Sequence, residues 1–333
     1  MTTIRLPMIF PGQASQAVGM ARDLADAGGP AADILASVND TLGADLTGLM
    51  YEGPLEKLTE TRNAQPAILA HSVAVARALA EQGILPSAVA GHSLGEFSAA
   101  AAVGALTAEQ ALRLVRTRGE LMFDAGLKRP GTMAAIMGLG ADAVREVCAA
   151  VSAEHGSVVL ANHNSEAQVV ISGTIDGVAA AGEALKAAGA RRVTPLNVSG
   201  AFHSPLLADA AASFAAHLEQ TAFEDPAAPL VANVSGRPVT RAADLCAGLK
   251  RQLTSPVLWH DTMHWIVEGQ SRRPRVVLEV GPGKVLTNLA KRAYPDVTFL
   301  SVGTVAELET IGARLEELLG GDEPRTMEAG DER

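Results

Sequence analysis

The stretch that most constrains how this chain can fold lies at residues 88–103, where a strand-like run is followed at once by a helix-like run. Residues 88–90 are small and apolar, and residues 94–103 are rich in helix formers. Between them, Gly91-His-Ser-Leu-Gly95 fits the pattern G-x-S-x-G. In this context the serine lies on a strained turn, with its hydroxyl exposed and backbone N–H groups near a developing oxyanion. We therefore predict that Ser93 is a nucleophile.

Composition indicates an α/β protein. The 333 residues are 48% hydrophobic but only 3% aromatic, which suits closely packed helices against a sheet. The net charge of -10 argues against general nucleic-acid binding, and no apolar run is long enough to cross a membrane. The first ten residues resemble a strand rather than a signal peptide. Since Cys148 and Cys246 are the only cysteines, we expect no disulfide and a cytoplasmic location.

The order of the predicted elements divides the chain into two units and a tail. Residues 131–196 are predicted as strand, helix, strand, strand, helix, strand, which is the ferredoxin-like βαββαβ order. We assign 129–198 to this inserted small subdomain and 1–128 with 199–319 to a larger α/β body. The tail, 320–333, is predicted to be disordered, because its last thirteen residues carry five acids against two arginines and show no apolar period.

Within the body, apolar spacing predicts further helices and strands. One helix is expected from residue 31 to about residue 50, and another over 67–82 after a turn at 61–66, since proline is tolerated in a first helical turn. The elements expected after these are a helix over 108–125, a helix over 205–220, strands over 230–234 and 276–280, helices over 244–253 and 285–292, a strand over 297–302 and a closing helix from 306.

A serine nucleophile needs a general base, and eight histidines are available. His92 is a poor base, because adjacent side chains diverge at a tight turn. His203 is the best candidate, since it lies between a predicted strand and a helix that begins with proline, where the two units rejoin. The alternative for His203, a helix-capping role, stays open at this point.

Two patterns that resemble ligand sites are incomplete. His260 and His264 are four residues apart, as zinc ligands on a helix are, but no third ligand is evident, so we predict no metal site. The segment Gly281-Pro-Gly-Lys284 lacks the glycine spacing and the Ser or Thr of a phosphate loop and fits a tight strand-to-helix turn. His71, in the helix before Ser93, fits a partly buried structural role.

Three further polar side chains are candidates for a cleft between the two units. Asn162 and Asn164 follow a predicted strand of the small subdomain and either close turns or face the cleft. Arg118 lies in an apolar helix, where an arginine is usually on the surface. If Arg118 instead points into the cleft, its planar guanidinium is suited to bind a carboxylate. A serine hydrolase does not need such a group, whereas a transferase of dicarboxylic acyl units does.

Together these motifs resemble those of malonyl-CoA:acyl carrier protein transacylases. The resemblance extends from about residue 8 to about residue 319. It rests on Phe10-Pro-Gly-Gln13, the segment Thr61 to Ala67, Gly91-His-Ser-Leu-Gly95, Arg118-Gly119, Gly200-Ala-Phe-His203 and Glu279-Val-Gly-Pro-Gly283, which occur in the order typical of that family. It implies an α/β-hydrolase-like body with an inserted ferredoxin-like subdomain.

The resemblance also implies a role for each of ten residues. The implied catalytic residues are Ser93 as nucleophile, His203 as base and acid, and Gln252 through a backbone carbonyl that orients the histidine. The implied oxyanion hole consists of the backbone N–H groups of Gln13 and Leu94. The implied substrate-binding residues are Arg118, Gln65, Asn162, Asn164 and Phe202, with Arg118 on the malonyl carboxylate.

Three residues bear on how closely the chain follows the family. Ala14 stands where the family often has glycine, and alanine restricts the backbone there. Phe202 before the histidine and Leu94 after the serine go, in the family, with malonyl rather than methylmalonyl units. The sequence therefore favours malonyl, which competition with methylmalonyl-CoA would test.

The reaction implied is ping-pong transfer of malonyl from malonyl-CoA to the phosphopantetheine thiol of acyl carrier protein, without a cofactor or metal. The partners expected are malonyl-CoA and acyl carrier protein, with no nucleic acid, no membrane and a monomeric chain. A basic patch would dock the acidic carrier, with candidates at residues 191–192, 272–275 and 291–292. The alternatives are a thioester or ester hydrolase, an acyltransferase of polyketide synthesis or of malonate decarboxylase, and a non-enzymatic scaffold.

Overall fold

A computed structural model describes residues 3–198 and 200–320 of the chain. The strands are β1 Ile4–Phe10, β2 Ile84–Gly91, β3 Gly131–Met137, β4 Val158–Ser165, β5 Gln168–Thr174, β6 Arg192–Pro195, β7 Leu230–Ala232, β8 Arg237–Val239, β9 Val276–Val280 and β10 Thr298–Val302. They form a six-stranded sheet in the order β10-β9-β1-β2-β7-β8 and a four-stranded sheet in the order β4-β5-β3-β6.

The described residues form fifteen α-helices, most of which cover the two faces of the larger sheet. They are α1 Arg22–Asp26, α2 Gly29–Ala36, α3 Val38–Leu42, α4 Leu46–Glu52, α5 Leu55–Thr59, α6 Thr61–Glu81, α7 Gly95–Ala102, α8 Ala108–Lys128, α9 Ala141–His155, α10 Ile175–Ala187, α11 Ala208–Glu219, α12 Ala242–Gln252, α13 Trp259–Glu268, α14 Val285–Ala290 and α15 Val305–Leu319. Alternate residues of β1 enter different cores: Met8 and Phe10 pack in one and Ile9 in the other. A strand buried on both faces explains why β1 is apolar almost throughout.

The topology of the larger sheet places three loops at one edge. Strand β2 lies between β1 and β7 and is parallel to both. The carboxyl ends of parallel strands meet at the same edge of a sheet, which is where open α/β sheets bind ligands. Gln13, Ser93 and Asn233 follow these three strands and are therefore brought to one edge.

The smaller sheet is antiparallel and is packed by α9 and α10, with its own core. Its elements follow the chain order βαββαβ, so both the predicted α/β class and the predicted ferredoxin-like order are confirmed. The smaller sheet also contacts the body through β4. Val257 pairs with Asn162, donating its N–H to Ala161 O (2.8 Å) and accepting from His163 N (2.9 Å). The proposed boundaries at 128/129 and 198/199 stay predictions.

The helix predicted from residue 31 to about residue 50 is wrong, because α2, α3 and α4 are separate. Gly43 ends α3 with φ 61°, a conformation that favours glycine. Asp45 then starts α4, accepting the Gly48 N–H at 2.9 Å. These two local signals interrupt an apolar spacing that otherwise continues through the segment.

The second helix begins six residues earlier than predicted, at Thr61 rather than residue 67, with Pro66 inside it. Proline lacks the N–H that would bond the carbonyl of Arg62. Arg116 donates to that carbonyl from Nη1 at 3.1 Å, so a neighbouring helix satisfies the group that proline leaves free. Strand β8 and helix α13 have no counterpart among the predicted elements.

The predicted disordered tail falls, apart from Gly320, outside the described residues. Within residues 3–198 and 200–320, no helix combines the length and the hydropathy that crossing a membrane would require.

Candidate active site

The turn that carries Ser93 is strained, and the two glycines of the motif make it possible. Ser93 has φ 53°, in the left-handed region that is uncommon for residues other than glycine. A Cβ on Gly91 would collide with the backbone of Gly95, and a Cβ on Gly95 would collide with the carbonyl of Phe10. The spacing G-x-S-x-G is therefore needed for β2 and α7 to approach β1 this closely.

Asn233 holds this turn in place, and the sequence analysis did not single it out. Its Oδ1 accepts the Ser93 N–H at 2.7 Å, and its Nδ2 donates to Gly91 O at 2.7 Å. Strained backbone persists where surrounding contacts over-determine it. Asn233 lies inside the strand predicted over 230–234, but the strand in the structure ends at Ala232, which places Asn233 at the sheet edge where sites form.

Replacing Asn233 with alanine should lower the free energy of unfolding by about 2–4 kcal/mol, because it leaves the partly buried Ser93 N–H and the buried Gly91 carbonyl without their Asn233 partners. Urea denaturation measures this change. The matched control is Asn288→Ala, at an exposed position whose side chain has no hydrogen bond within the described part of the chain, where a change within about 0.5 kcal/mol is expected. Equal effects of the two substitutions would contradict this account of the turn.

His203 contacts the Ser93 hydroxyl and is oriented by two carbonyls. Its Nε2 lies 2.8 Å from Ser93 Oγ, and its Nδ1 lies 3.0 Å from Gln252 O and 3.2 Å from Ser255 O. Carbonyl oxygens only accept hydrogen bonds, so Nδ1 carries the hydrogen and Nε2 is left as an acceptor for the serine proton. Two backbone carbonyls thus occupy the place that a carboxylate has in a serine triad.

The protonation state of His203 also suits a base. The ring is 4% exposed. Burial, and after it the positive charge of Arg118, lowers the pKa of His203 from 6.5 to about 3, while the bonds to Gln252 and Ser255 oppose the shift. At neutral pH the imidazole is therefore uncharged and able to accept a proton.

Arg118 points into the protein beside Ser93, and only 1% of it is exposed. It donates from Nη1 to Gln65 Oε1 (2.6 Å) and from Nη2 to Ser93 Oγ (3.0 Å) and Gln252 Oε1 (2.9 Å). Burial lowers the pKa of Arg118 to about 10, and Glu96 opposes this, so the guanidinium stays charged at neutral pH. None of the carboxylates in the described ranges lies within 4 Å of it, which leaves a buried cation next to a hydroxyl without a directly bound anion.

A cavity of about 400 Å³ opens over these residues. Its lining includes Ser93, His203, Arg118, Gln65, Asn162, Phe202, Gln13, Leu94 and Met122. Among the described residues, the backbone N–H groups of Gln13 and Leu94 have no hydrogen-bond acceptor, so both are available to an oxyanion in this cavity. Ala14, next to Gln13, has φ 82°, which explains why glycine suits this position in related sequences.

The predicted residues do not all line the cavity. Asn164 instead bonds His92, with Oδ1 3.0 Å from Nε2, and donates to Gln168 Oε1 at 3.1 Å. The ring of His92 packs against Trp259, with centroids 5.4 Å apart. The side chain of His92 therefore points away from the reacting hydroxyl, as the sequence analysis expected. Gln252 contacts His203 through its backbone carbonyl and Arg118 through its side chain.

The other histidines lie apart from this cluster. His71 is buried and bonds Gly303 O through Nε2 at 2.6 Å. His260 lies on α13, with its ring 4.7 Å from that of His163. In the part of the chain that the structure describes, no group of three or more His, Cys, Asp or Glu side chains is arranged to hold a metal ion.

Comparison with known proteins identifies the family. A family model described as an acyl transferase domain matches residues 8–313. The malonyl CoA-acyl carrier protein transacylase of Bacillus subtilis is 40% identical over 314 residues, which cover 94% of this chain and 98% of that protein. The chain belongs to the malonyl-CoA–acyl carrier protein transacylase family. The resemblance inferred from the motifs is thus confirmed.

The chain is also similar in fold to solved structures of transacylases. An acyl carrier protein S-malonyltransferase from Vibrio cholerae has a TM-score of 0.86 at 39% identity, covering 92% of this chain and 99% of that one. A malonyl transacylase solved in complex with its type II polyketide synthase acyl carrier protein has a TM-score of 0.86 at 41% identity, covering 92% and 98%. The two-sheet α/β architecture is therefore that of the family.

Proposed function

We propose that this chain transfers the malonyl group from malonyl-CoA to the phosphopantetheine thiol of acyl carrier protein through a malonyl ester on Ser93. The observation that carries the proposal is the buried, charged Arg118, which contacts the Ser93 hydroxyl and has no carboxylate of residues 3–198 or 200–320 bound to it. A buried guanidinium of this kind suits a substrate that brings its own carboxylate to the site. The family names of the relatives agree with this substrate.

In the first half-reaction His203 Nε2 takes the proton of the Ser93 hydroxyl while Oγ attacks the thioester carbonyl carbon. The oxyanion forms beside the Gln13 and Leu94 N–H groups, each worth about 3–4 kcal/mol in comparable sites. The carbon–sulfur bond then breaks, and His203 returns the proton to the sulfur, so that CoA leaves as the thiol. Malonyl remains as an ester on Ser93 with its carboxylate on Arg118.

In the second half-reaction the same groups act in reverse. His203 takes the proton of the carrier's phosphopantetheine thiol, and the sulfur attacks the ester carbonyl. The Ser93 oxygen leaves and regains the proton from His203, which restores the free enzyme. Every proton transfer uses side chains of this chain, so no cofactor or metal enters the proposed steps.

The selection of malonyl over acetyl groups follows from Arg118. A site that buries a cation binds an acyl group lacking the carboxylate poorly, because the cation then stays unpaired. Phe202 and Met122 line the same cavity, and we propose that they limit the room next to the acyl carbon. The preference for malonyl over methylmalonyl stays a prediction, as do the monomeric state and the cytoplasmic location.

The basic residues proposed to dock the carrier differ in their contacts. Arg273 pairs with Glu268 at 3.1 Å and lies 4.0 Å from Asp296. Arg292 instead lines a cavity of about 670 Å³ whose lining also includes Gln168, His264 and the acidic residues Glu166 and Asp261. Both segments, 272–275 and 291–292, stay candidates for the contact with an acidic carrier.

The proposed function is tested by intact mass after brief mixing with malonyl-CoA, first without and then with phosphopantetheinylated acyl carrier protein. We expect a mass increase of one malonyl group, which disappears from the enzyme and reappears on the carrier. Continuous CoA release without an adduct would support the hydrolase alternative instead. Absence of both adduct and CoA release would contradict an acyltransferase.

A further inference from the structure

Glu96 is a buried carboxylate one helical turn beyond Ser93 to which the steps above assign no task. It is 1% exposed and lies at the start of α7. Its Oε2 accepts from Gln252 Nε2 at 2.6 Å, and its Oε1 accepts from Asn233 N at 3.4 Å. In the described ranges no Lys, Arg or His lies within ion-pair distance of it. A carboxylate without a directly bound cation is costly to bury, so its position calls for a reason.

The side-chain amide of Gln252 connects Glu96 to Arg118. Its nitrogen donates to Glu96 Oε2 and to Ser93 O (2.9 Å), and its oxygen accepts from Arg118 Nη2 at 2.9 Å. A carboxylate and a carbonyl can only accept, so both fix the amide with its NH₂ toward Glu96. The amide oxygen is then directed at the guanidinium.

We propose that Glu96 is a positioning residue that holds the Gln252 amide in this orientation. Glu96 also balances the charge of Arg118 from the far side of that amide. The place beside the guanidinium is therefore left to the carboxylate of the substrate. A carboxylate in direct contact with Arg118 would compete with malonyl. Without any negative charge nearby, the buried cation would be costly in the empty enzyme. The arrangement Glu96–Gln252–Arg118 avoids both. The inference rests on the proposed function.

The charges around Glu96 agree with this arrangement. Burial raises the pKa of Glu96 to about 7, while the bonds from Gln252 and Asn233 and the positive charge of Arg118 oppose the rise. Arg118 on α8 is the charged group that acts on it, and His203 is neutral at this pH. At neutral pH Glu96 is therefore shared between the carboxylate and the neutral acid, and Gln252, Asn233 and Arg118 shift this balance toward the carboxylate.

Two variants test the inference. Glu96→Gln keeps the shape but allows the Gln252 amide to turn its NH₂ toward Arg118, and should lower kcat/KM for malonyl-CoA roughly tenfold. The exchange Glu96→Gln with Gln252→Glu keeps the same groups but sets a carboxylate against Arg118. It should lower kcat/KM for malonyl-CoA on the order of a hundredfold through KM. Glu96→Gln, which leaves Gln252 and the other reacting groups in place, should not lower acylation by acetyl-CoA, so its malonyl-to-acetyl ratio falls.

The matched control is Glu279→Gln. Glu279 is also buried, with a raised pKa, but it accepts the N–H groups of Leu286 and Thr287 at the start of α14. This substitution should lower stability and leave the ratio unchanged. A ratio at the wild-type value in Glu96→Gln would overturn the inference, and the thermal midpoint of each variant shows whether it is folded. If the exchange variant does not fold, the ratio of the isosteric Glu96→Gln decides. A wild type that forms no malonyl adduct would instead contradict the proposed function.

Discussion

Ser93→Ala should form no malonyl adduct and should lose malonyl transfer by about 10⁴–10⁶-fold, the range found when a serine nucleophile is removed. The hydroxyl is the atom to which His203 Nε2 and Arg118 Nη2 are both directed. Alanine retains the cavity and the oxyanion donors, so binding of malonyl-CoA should survive. The measurements are intact mass after brief mixing and the rate of CoA release.

Ser98→Ala is the matched control for this substitution. Ser98 lies on the same helix, α7, and its buried hydroxyl has no hydrogen-bond partner within the described residues. Its removal should leave both adduct and transfer close to wild type. A malonyl adduct of normal stoichiometry on Ser93→Ala would show that another residue carries the acyl group. Loss of the adduct in both variants would indicate a damaged fold.

Arg118→Ala should lower acylation by malonyl-CoA about 30- to 10³-fold, because truncating one partner of a buried, hydrogen-bonded charge pair costs about 2–4 kcal/mol. Acylation by acetyl-CoA, which brings no carboxylate, should not fall with it. The expected result is therefore a change of selectivity and not a general loss. Single-turnover rates with malonyl-CoA and acetyl-CoA measure the two effects separately.

Arg113→Ala provides the control on the same helix. Arg113 is exposed on α8 and pairs with Glu109 at 2.9 Å, so its removal should change neither rate. The rate of acylation by malonyl-CoA in Arg118→Lys should lie between the rates of the wild type and Arg118→Ala, since lysine keeps the charge but not the planar fork that matches a carboxylate. Equal losses with malonyl-CoA and acetyl-CoA in Arg118→Ala would contradict a role in carboxylate binding.

Features whose causes lie close together in the chain were the ones that the sequence predicted. The turn at Ser93 was predictable, because its cause lies within five residues: two glycines allow the backbone approach and apolar neighbours supply the strand and helix. The βαββαβ order was predictable for the same reason, since alternation and helical periodicity are local. The break between α3 and α4 was missed where Gly43 and Asp45 outweigh a continuous apolar spacing.

The surroundings of the reacting groups depend on residues far apart in the chain. The pairing of Ser93 with His203 was an expectation, but the roles of Asn233, Glu96 and the Ser255 carbonyl had no signal at the level of a motif. Their contacts span more than forty residues and exist because parallel strands place their loops at one edge of the sheet.

The sequence by itself therefore determined which residue is set on the strained turn and which fold class surrounds it. It offered Arg118 as a ligand for a carboxylate only on the condition that its side chain points into the cleft. Only the tertiary structure decided that Arg118 is buried with no carboxylate of the described residues bound to it, that two carbonyls orient His203, and that Gln252 connects Arg118 to Glu96. The physical reason is that hydrogen-bond direction and desolvation depend on which distant groups are packed together. Local spacing carries no information about either.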